Sequence, residues 1–376
     1  DRARALIAMA AGMRLNDRLS EALATLDAAE PLLREAALPL ELSRLHHLRG
    51  NLLFPLARNA ECRREHVAAR RLARAARSPE AEAAALGGLG DAYYLQGRMC
   101  SANVRFRRCV ELARANGFGR LEVANLPMVA ATEFHAAKIG DAAAIAKDAI
   151  ALSLRAAQTR AEMIARTIAL WAEGLIRGDR AEGERQVAAL LGVIALLGAH
   201  RFEAQVRACA AVMAARDGDS AAALALADRA VTICRQHGMA HIGAFALGAR
   251  ALAEPDREAR RRWLRDGEAQ LDAGAVSHNH LWLREIAIEA SLDVADWDAV
   301  DALCARLAAY TAREPMAYWD ALIAGGRVLA RHGRGERGAA LAAELRRLRD
   351  GAVAAEMHVA ARRLERALGE TADAAH

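Results

Sequence analysis

Two histidines that flank a single residue, His278 and His280, are the first positions at which this sequence could bind a metal ion. An HxH pair on a helix points its rings in different directions, and a zinc site needs further ligands. No other residue is spaced to join the pair. We therefore interpret it as a polar cluster at the start of a helix before Leu281, and we predict no metal site.

Two pairs of glutamates could supply a general acid and a general base. Glu285 and Glu289 are four residues apart and share one face of a predicted helix, and Glu122 with Glu133 is the second pair. No nucleophile or polarised water is indicated beside either pair. We interpret both as solvated acidic faces, and we predict that the chain is not an enzyme and needs no cofactor.

The composition favours closely packed helices. Hydrophobic residues make up 54% of the 376 residues and aromatic residues only 4%, so alanine and leucine dominate the apolar share. Alanine has the highest helix propensity and lets helix axes approach, and almost no β-branched runs are present to form a sheet. No apolar run approaches the roughly 20 residues that span a bilayer, so no membrane segment is predicted.

The charges are spread along the chain. The net charge of +5 arises from 52 basic and 47 acidic residues that are interspersed, whereas nucleic-acid binding needs a basic stripe, so no nucleic-acid partner is predicted. The six cysteines form no CxxC pair, which favours a reduced, cytoplasmic compartment. The sequence opens with Asp1 within a helical pattern, and we expect a longer parent protein with an effector domain upstream.

The stretch from Leu86 to Leu112 contains the clearest structural pattern, two amphipathic helices joined by a turn at Gln96-Gly97-Arg98. Gly90 lies on the packing face of the first helix, and Phe106 belongs to an apolar stripe on the second. This pattern resembles the tetratricopeptide (TPR) helix–turn–helix unit. His66 occupies the position equivalent to Phe106 in the preceding unit, and we interpret it as a core histidine with satisfied hydrogen bonds.

Anchor positions equivalent to Gly90 recur with a period of about 40 residues, at Ala10, Gly50, Gly90, Thr132, Trp171, Ala211, Gly248, Ile288 and Gly326. The standard TPR period is about 34 residues, so longer helices are expected here. Because Thr132 is β-branched and Trp171 and Ile288 are bulky, helix spacing or rotation should differ at those three anchors. Predicted turns follow the anchors at Asn16-Asp17, Gly97-Arg98, Gly140-Asp141, Gly178-Asp179, Gly218-Asp219, Pro255-Asp256, Ala295-Asp296 and Gly333-Arg334.

We therefore predict one all-α domain over residues 1–376. It would be a right-handed α-solenoid of about nine TPR-like helix pairs over residues 1–352, with a capping helix over residues 353–368. We expect that capping helix to have no partner helix, and its Arg362, Arg363 and Arg366 to point outward.

Residues 45–125, from LHHLRG to the RLEVAN segment, resemble the helical-repeat region that follows the NTPase module in bacterial multidomain regulators. Such regulators include class III adenylate/guanylate cyclases with an AAA-type ATPase and MalT-like transcriptional activators. The resemblance covers roughly a fifth to a quarter of the chain, and the chain has no phosphate loop, cyclase metal carboxylates or helix-turn-helix reader. It implies a non-catalytic sensor or protein-interaction module that regulates an attached or associated signalling domain. The repeat region of a cyclase or ATPase and a structural oligomerisation scaffold stay open as alternatives.

In TPR-like arrays the first helix of each pair lines the concave face, so the register of the anchors indicates which side chains face the groove. The predicted ligand- or partner-binding residues are His47, Asn51, Phe54, Asp91, Tyr94, Asn125 and Glu133. Polar and aromatic side chains that converge on a groove are typical of sites for small polar ligands and for protein or peptide partners. A donor or cationic end suits this set better than an anion, because Asp91 is negative. A second polar region, around Glu289 and Arg327, lies toward the C-terminal end.

Overall fold

The structure is a computed structural model that describes residues 1–15, 18–56 and 58–373. Throughout these residues the regular secondary structure is helical, and they contain no strand. The α-helices are α1 (Arg2–Leu15), α2 (Leu19–Glu35), α3 (Pro39–Leu53), α4 (Asn59–Ala75), α5 (Pro79–Tyr94), α6 (Met99–Asn116), α7 (Gly119–Glu133), α8 (Ile139–Arg155), α9 (Thr159–Ala169), α10 (Arg180–Leu197), α11 (His200–Arg216), α12 (Ser220–His237), α13 (Gly243–Ala253), α14 (Arg257–Asp272), α15 (His278–Leu292), α16 (Trp297–Thr311), α17 (Ala317–Gly333), α18 (Ala339–Ala354) and α19 (His358–Asp373).

In the described residues, α1 to α18 alternate in chain order as nine first and nine second helices, and α19 follows them. This confirms the predicted all-α solenoid class and the predicted number of repeats. The chain divides into two compact units, Asp1–Val129 and Ala130–His376. The boundary falls within α7, two residues after Pro127, which lies inside that helix. The interpretation of residues 1–376 as one domain stays a prediction. Every helix in the described ranges is too short or too polar to cross a membrane.

The glycine and aspartate turn chemistry predicted from the sequence is present in full at Gly178-Asp179 and Gly218-Asp219. Gly218 ends the turn after α11 with a left-handed φ of 82°, and the Asp219 carboxylate accepts a hydrogen bond from the Ala222 amide at 3.0 Å. The Gly178-Asp179 turn has the same design, with a left-handed glycine and an aspartate cap. These residues terminate one helix and start the next at fixed points, which keeps the repeats in register.

Two of the predicted turns are not confirmed. The turn at Gly140-Asp141 is wrong, because α8 already begins at Ile139 and Ala137 adopts the left-handed φ of 60° instead. The turn at Asn16-Asp17 lies outside the described residues.

Glycines on the first helices allow the close helix crossings that the anchor pattern predicts. A Cβ atom on Gly90 would lie 2.5 Å from the Phe106 ring, so a side chain at this position would collide with the aromatic residue. His66 takes the same role one repeat earlier, where its ring packs against Gly50 and Gly88. The structure confirms the predicted burial of His66, of which 1% of the surface is exposed. The prediction that its hydrogen bonds are satisfied is wrong. Neither ring nitrogen has a hydrogen-bond partner among the described residues, and burial lowers the pKa of His66 to about 3.

The helix geometry changes at Trp171, as its bulk at an anchor predicts. α9 continues there into a π-helical segment, Leu170–Arg177, and the Trp171 ring packs 4.4 Å from the Trp282 ring. After Thr132, α7 ends and a single 3₁₀ turn follows, Phe134–Ala136. α15 passes Ile288 as a regular α-helix. A π-helical turn adds a residue within a helix, and it moves the following side chains around the helix axis.

The C-terminal region differs from the predicted lone capping helix. α18 extends to Ala354, a left-handed Glu356 reverses the chain, and α19 begins at His358 and packs against α18. The helix therefore has a partner, and the predicted start at residue 353 is wrong. Arg363 does not point outward, because it lies 2.8 Å from both Glu289 and Asp293.

Candidate functional site

In both units the first helices of neighbouring pairs pack directly on one another. In the first unit α1 lies against α3 and α3 against α5, and in the second unit α11, α13, α15 and α17 follow one another. The second helices α2, α4, α10, α12, α14 and α16 each pack between the first helix of their own pair and that of the next pair. We call the surface formed by the first helices the inner layer. Six of the seven predicted site residues lie on its helices α3, α5 and α7, and Phe54 follows α3 directly.

His47 and Asn51 form a hydrogen-bonded pair one turn apart on α3. The Asn51 Nδ2 atom lies 3.0 Å from His47 Nε2, and burial lowers the pKa of His47 to about 4, so the ring is neutral at neutral pH. The Asn51 amide is therefore the donor and the ring nitrogen is the acceptor. This contact fixes the amide group and turns its Oδ1 atom, a hydrogen-bond acceptor, away from the histidine.

The next two first helices place further predicted residues on the inner layer of the first unit. Asp91 and Tyr94 on α5 are partly buried, as is Phe54 at the end of α3. Asn125 on α7 lies against Gly87 of α5, and its amide donates to the Leu121 carbonyl at 2.9 Å. The local structure thus holds carboxylate, amide and aromatic side chains on neighbouring helices.

Glu133, the seventh predicted residue, lies in the second unit. Its side chain is 3% exposed, so the interpretation of Glu133 as part of a solvated acidic face is wrong, and its carboxylate lies 3.6 Å from the Lys138 ammonium group. Its partner in the suggested acid–base pair, Glu122, lies in the first unit and is ion-paired with Arg114 at 2.7 Å.

The inner layer of the second unit contains a buried charge network that the sequence analysis missed. The Glu289 carboxylate lies 2.7 Å from Arg216 and 2.8 Å from Arg363, and only 8% of its side chain is exposed. The interpretation of Glu285 and Glu289 as a solvated acidic face is therefore wrong. Tertiary packing buries this face of α15, because α11 and α19 cover it and supply the two arginines.

Glu285 faces a cavity of about 80 Å³ beside this network. The Tyr318 hydroxyl donates a hydrogen bond to Glu285 Oε1 at 2.7 Å, and most other lining residues, such as Leu175, Leu322 and Leu364, are apolar. Burial in these surroundings raises the pKa of Glu285 to about 7. The side chain can therefore be a neutral acid at neutral pH, which is unusual for a glutamate.

Replacing Glu285 by glutamine should change the pH dependence of stability in a defined direction. The raised pKa means that the folded chain keeps a proton which the unfolded chain releases near pH 4.5, so this group makes wild-type stability fall between pH 4.5 and 7. Between pH 4.5 and 7, the free energy of unfolding of Glu285→Gln should therefore rise by about 1–3 kcal/mol relative to that of the wild type. Urea unfolding at a series of pH values measures the difference.

The buried histidines titrate in both proteins, so the difference between variant and wild type isolates Glu285. Parallel stability curves for the two proteins would contradict the assigned protonation state. Tyr318→Phe, which removes the hydrogen-bond donor and leaves the carboxyl group, serves as the matched control and should keep the wild-type direction of the slope.

The two histidines first considered as metal ligands make separate contacts. α15 begins at His278, which confirms the helix-start interpretation. His278 Nε2 lies 2.7 Å from the His241 carbonyl oxygen, whereas the His280 ring stacks on Tyr310 with centroids 4.6 Å apart. Across the described ranges, no group of three or more His, Cys, Asp or Glu side chains is arranged to hold a metal ion.

Comparisons with known proteins identify a similar fold. No family model matches the sequence, and no curated protein matches it. Among solved structures, the crystal structure of a Rap protein complexed with competence and sporulation factor is similar, with a TM-score of 0.55 and 10% sequence identity. The match covers 88% of this chain and 99% of that chain. It supports a TPR-like helical-repeat fold, and the cyclase or MalT-like context of the parent protein stays a prediction.

Proposed function

We propose that this chain is a non-catalytic binding module that holds the free amino end of a peptide on the inner layer of its first unit. Binding there would regulate an attached or associated signalling domain. The observation that carries the proposal is the fixed Asn51 amide, which His47 orients so that an acceptor oxygen is presented on the inner layer. The proposed site comprises His47, Asn51, Phe54, Asp91, Tyr94 and Asn125.

The chemistry of these residues favours a ligand with hydrogen-bond donors. An α-amino group is charged near neutral pH, and both the Asn51 Oδ1 atom and the Asp91 carboxylate accept hydrogen bonds. Phe54 and Tyr94 would provide flat apolar walls for the first side chains of the peptide. His47 would act as a positioning residue, because its contact is with Asn51 and not with the ligand. The Rap protein is itself complexed with a factor, which supports a binding role for a fold of this kind.

The proposal is tested with peptides selected from a random library displayed with free amino ends. An enriched peptide, labelled at its carboxyl end, is titrated with the chain and followed by fluorescence anisotropy. Asp91→Ala should weaken binding about ten- to hundredfold, since a hydrogen bond to a charged group contributes about 1.5–3 kcal/mol. Acetylating the peptide should weaken binding similarly, and the two changes should not add, because they remove the same interaction.

Glu111→Ala is the matched control. Glu111 is an exposed acid on the second helix α6 of the same unit, so its removal changes the charge equally outside the site. Equal losses with Asp91→Ala and Glu111→Ala would contradict the proposed site. Binding that survives Asp91→Ala with Tyr94→Ala but is lost on changing Glu289 or Arg327 would place the site at the other end of the chain.

A further inference from the structure

A second groove, of about 730 Å³, lies wholly within the second unit. Its walls come from the π-helical segment, the start of α10, the end of α11, α15 and α19. This volume is within the range of about 300–1,000 Å³ that is usual for ligand pockets, and it exceeds what a single small anion needs. Five arginines and four carboxylates line it.

The four carboxylates of this groove are already ion-paired. The pairs are Glu289 with Arg216 and Arg363, Asp293 with Arg363, Asp217 with Arg180, and Glu365 with Arg349. Two lining arginines, Arg362 and Arg366, have no ion-pair partner among the residues that the structure describes. Because the carboxylates of the groove are already paired, its excess positive charge lies on these two arginines of α19.

Arg362 and Arg366 are four residues apart on α19, so they project from the same face of the helix. Both are exposed. The Arg362 guanidinium group lies against Gly178, at a place where a side chain on residue 178 would collide with it. The half-exposed Arg180, two residues after Gly178, also lines the groove, so guanidinium groups from both α10 and α19 line it.

We propose that this groove binds an acidic polypeptide segment in an extended conformation. Side chains on the same face of a helix one turn apart are separated by about 5–6 Å. Alternate residues of an extended chain lie about 6.5–7 Å apart and point to the same side. Arg362 and Arg366 can therefore each bind one carboxylate of a Glu-x-Glu sequence, and guanidinium groups bind carboxylates through two parallel hydrogen bonds. This site is separate from the proposed amino-end site, which lies in the first unit.

The test titrates a labelled peptide of alternating glutamate and glycine with the full chain at low and at high salt. The wild type should bind the peptide, and high salt should weaken binding because the contacts are exposed charges. The double variant Arg362→Ser with Arg366→Ser should bind at least about tenfold more weakly, as expected for two charge-assisted contacts. Both arginines are exposed, so an unchanged circular dichroism spectrum is expected for the variant.

Arg346→Ser with Arg347→Ser is the matched control. These two arginines are exposed on α18, do not line the groove, and carry the same charge. Equal weakening by both double variants would overturn the proposal, as would equal binding of the peptide in which glutamine replaces glutamate. Inorganic phosphate that displaces the peptide at similar concentration would also overturn it, because the groove would then be a site for single anions. These outcomes are independent of the amino-end site, whose test uses Asp91.

Discussion

Replacing Glu289 by alanine should lower the free energy of unfolding of the second unit by about 3–5 kcal/mol, the usual cost of removing one partner of a buried ion pair. Two arginines share this carboxylate, and the side chains of Arg216 and Arg363 are only 16% and 20% exposed. Without Glu289, Arg216 loses the one carboxylate partner that it has among the described residues, and Arg363 keeps only Asp293. The largest destabilisation expected in this protein therefore comes from a buried carboxylate whose role is to hold α11, α15 and α19 together.

All five tryptophans follow residue 129, so selectively excited tryptophan fluorescence during urea unfolding reports on the second unit. Burial opposes ionisation of Glu289, but Arg216 and Arg363 outweigh it and lower its pKa to about 2. The ion pair therefore stabilises the fold above about pH 4.5, and its contribution is lost as the pH falls toward 2. The difference in free energy of unfolding between the wild type and Glu289→Ala should therefore become smaller as the pH falls from about 4.5 toward 2.

Glu336→Ala serves as the control for Glu289→Ala. Glu336 also contacts an arginine, Arg331, but 44% of its side chain is exposed. Its removal should therefore leave the urea midpoint of the fluorescence transition at the wild-type value. If the two variants unfold at the same urea concentration, the Glu289 network is not the stabilising feature that its burial indicates.

Gly88→Ala should destabilise the first unit by about 1–3 kcal/mol, the usual cost of overpacking a core. The His66 ring occupies the space that the new methyl group would take. In the absence of such a contact, alanine in a helix interior is about 0.5–1 kcal/mol more favourable than glycine. The effect of Gly88→Ala should therefore change sign in a His66→Ala background, where the ring is missing.

Native-state hydrogen exchange of amides in α3 and α5 measures this effect locally. Gly12→Ala is the control, since a Cβ atom at this position on α1 meets nothing within 4 Å, and a small stabilisation is expected. Gly88→Ala that is equally destabilising with and without His66 would show that the ring does not limit the space beside this glycine.

The sequence predicts the repeat architecture well because the relevant signals are local. The close approach of Gly90 to Phe106 and the Gly218-Asp219 turn depend on residues fewer than twenty positions apart. A fixed period then carries the same helix pair along the chain. The His47–Asn51 pair belongs to this class too, since residues four apart on one helix share a face.

The buried charges could not be predicted in the same way. Arg216 and Arg363 reach Glu289 from positions 73 and 74 residues away, and helical periodicity carries no information at that distance. The sequence pattern of α19 indicates which of its sides is polar. It does not indicate that Arg363 pairs with Glu289 and Asp293, in and directly after α15. For His66, the stripe position predicted burial, whereas the missing hydrogen-bond partners depend on the two glycines that the ring contacts.

Hydrogen exchange of the full chain, measured by mass spectrometry with and without a selected amino-end peptide, tests the proposed binding function most directly. The proposal predicts added protection in α3 around His47 and Asn51 and in α5 around Asp91 and Tyr94. The second helices α4 and α6 should exchange as they do in the free chain. Protection confined to α15, α17 and α19, or spread evenly over both helices of each pair, would contradict it.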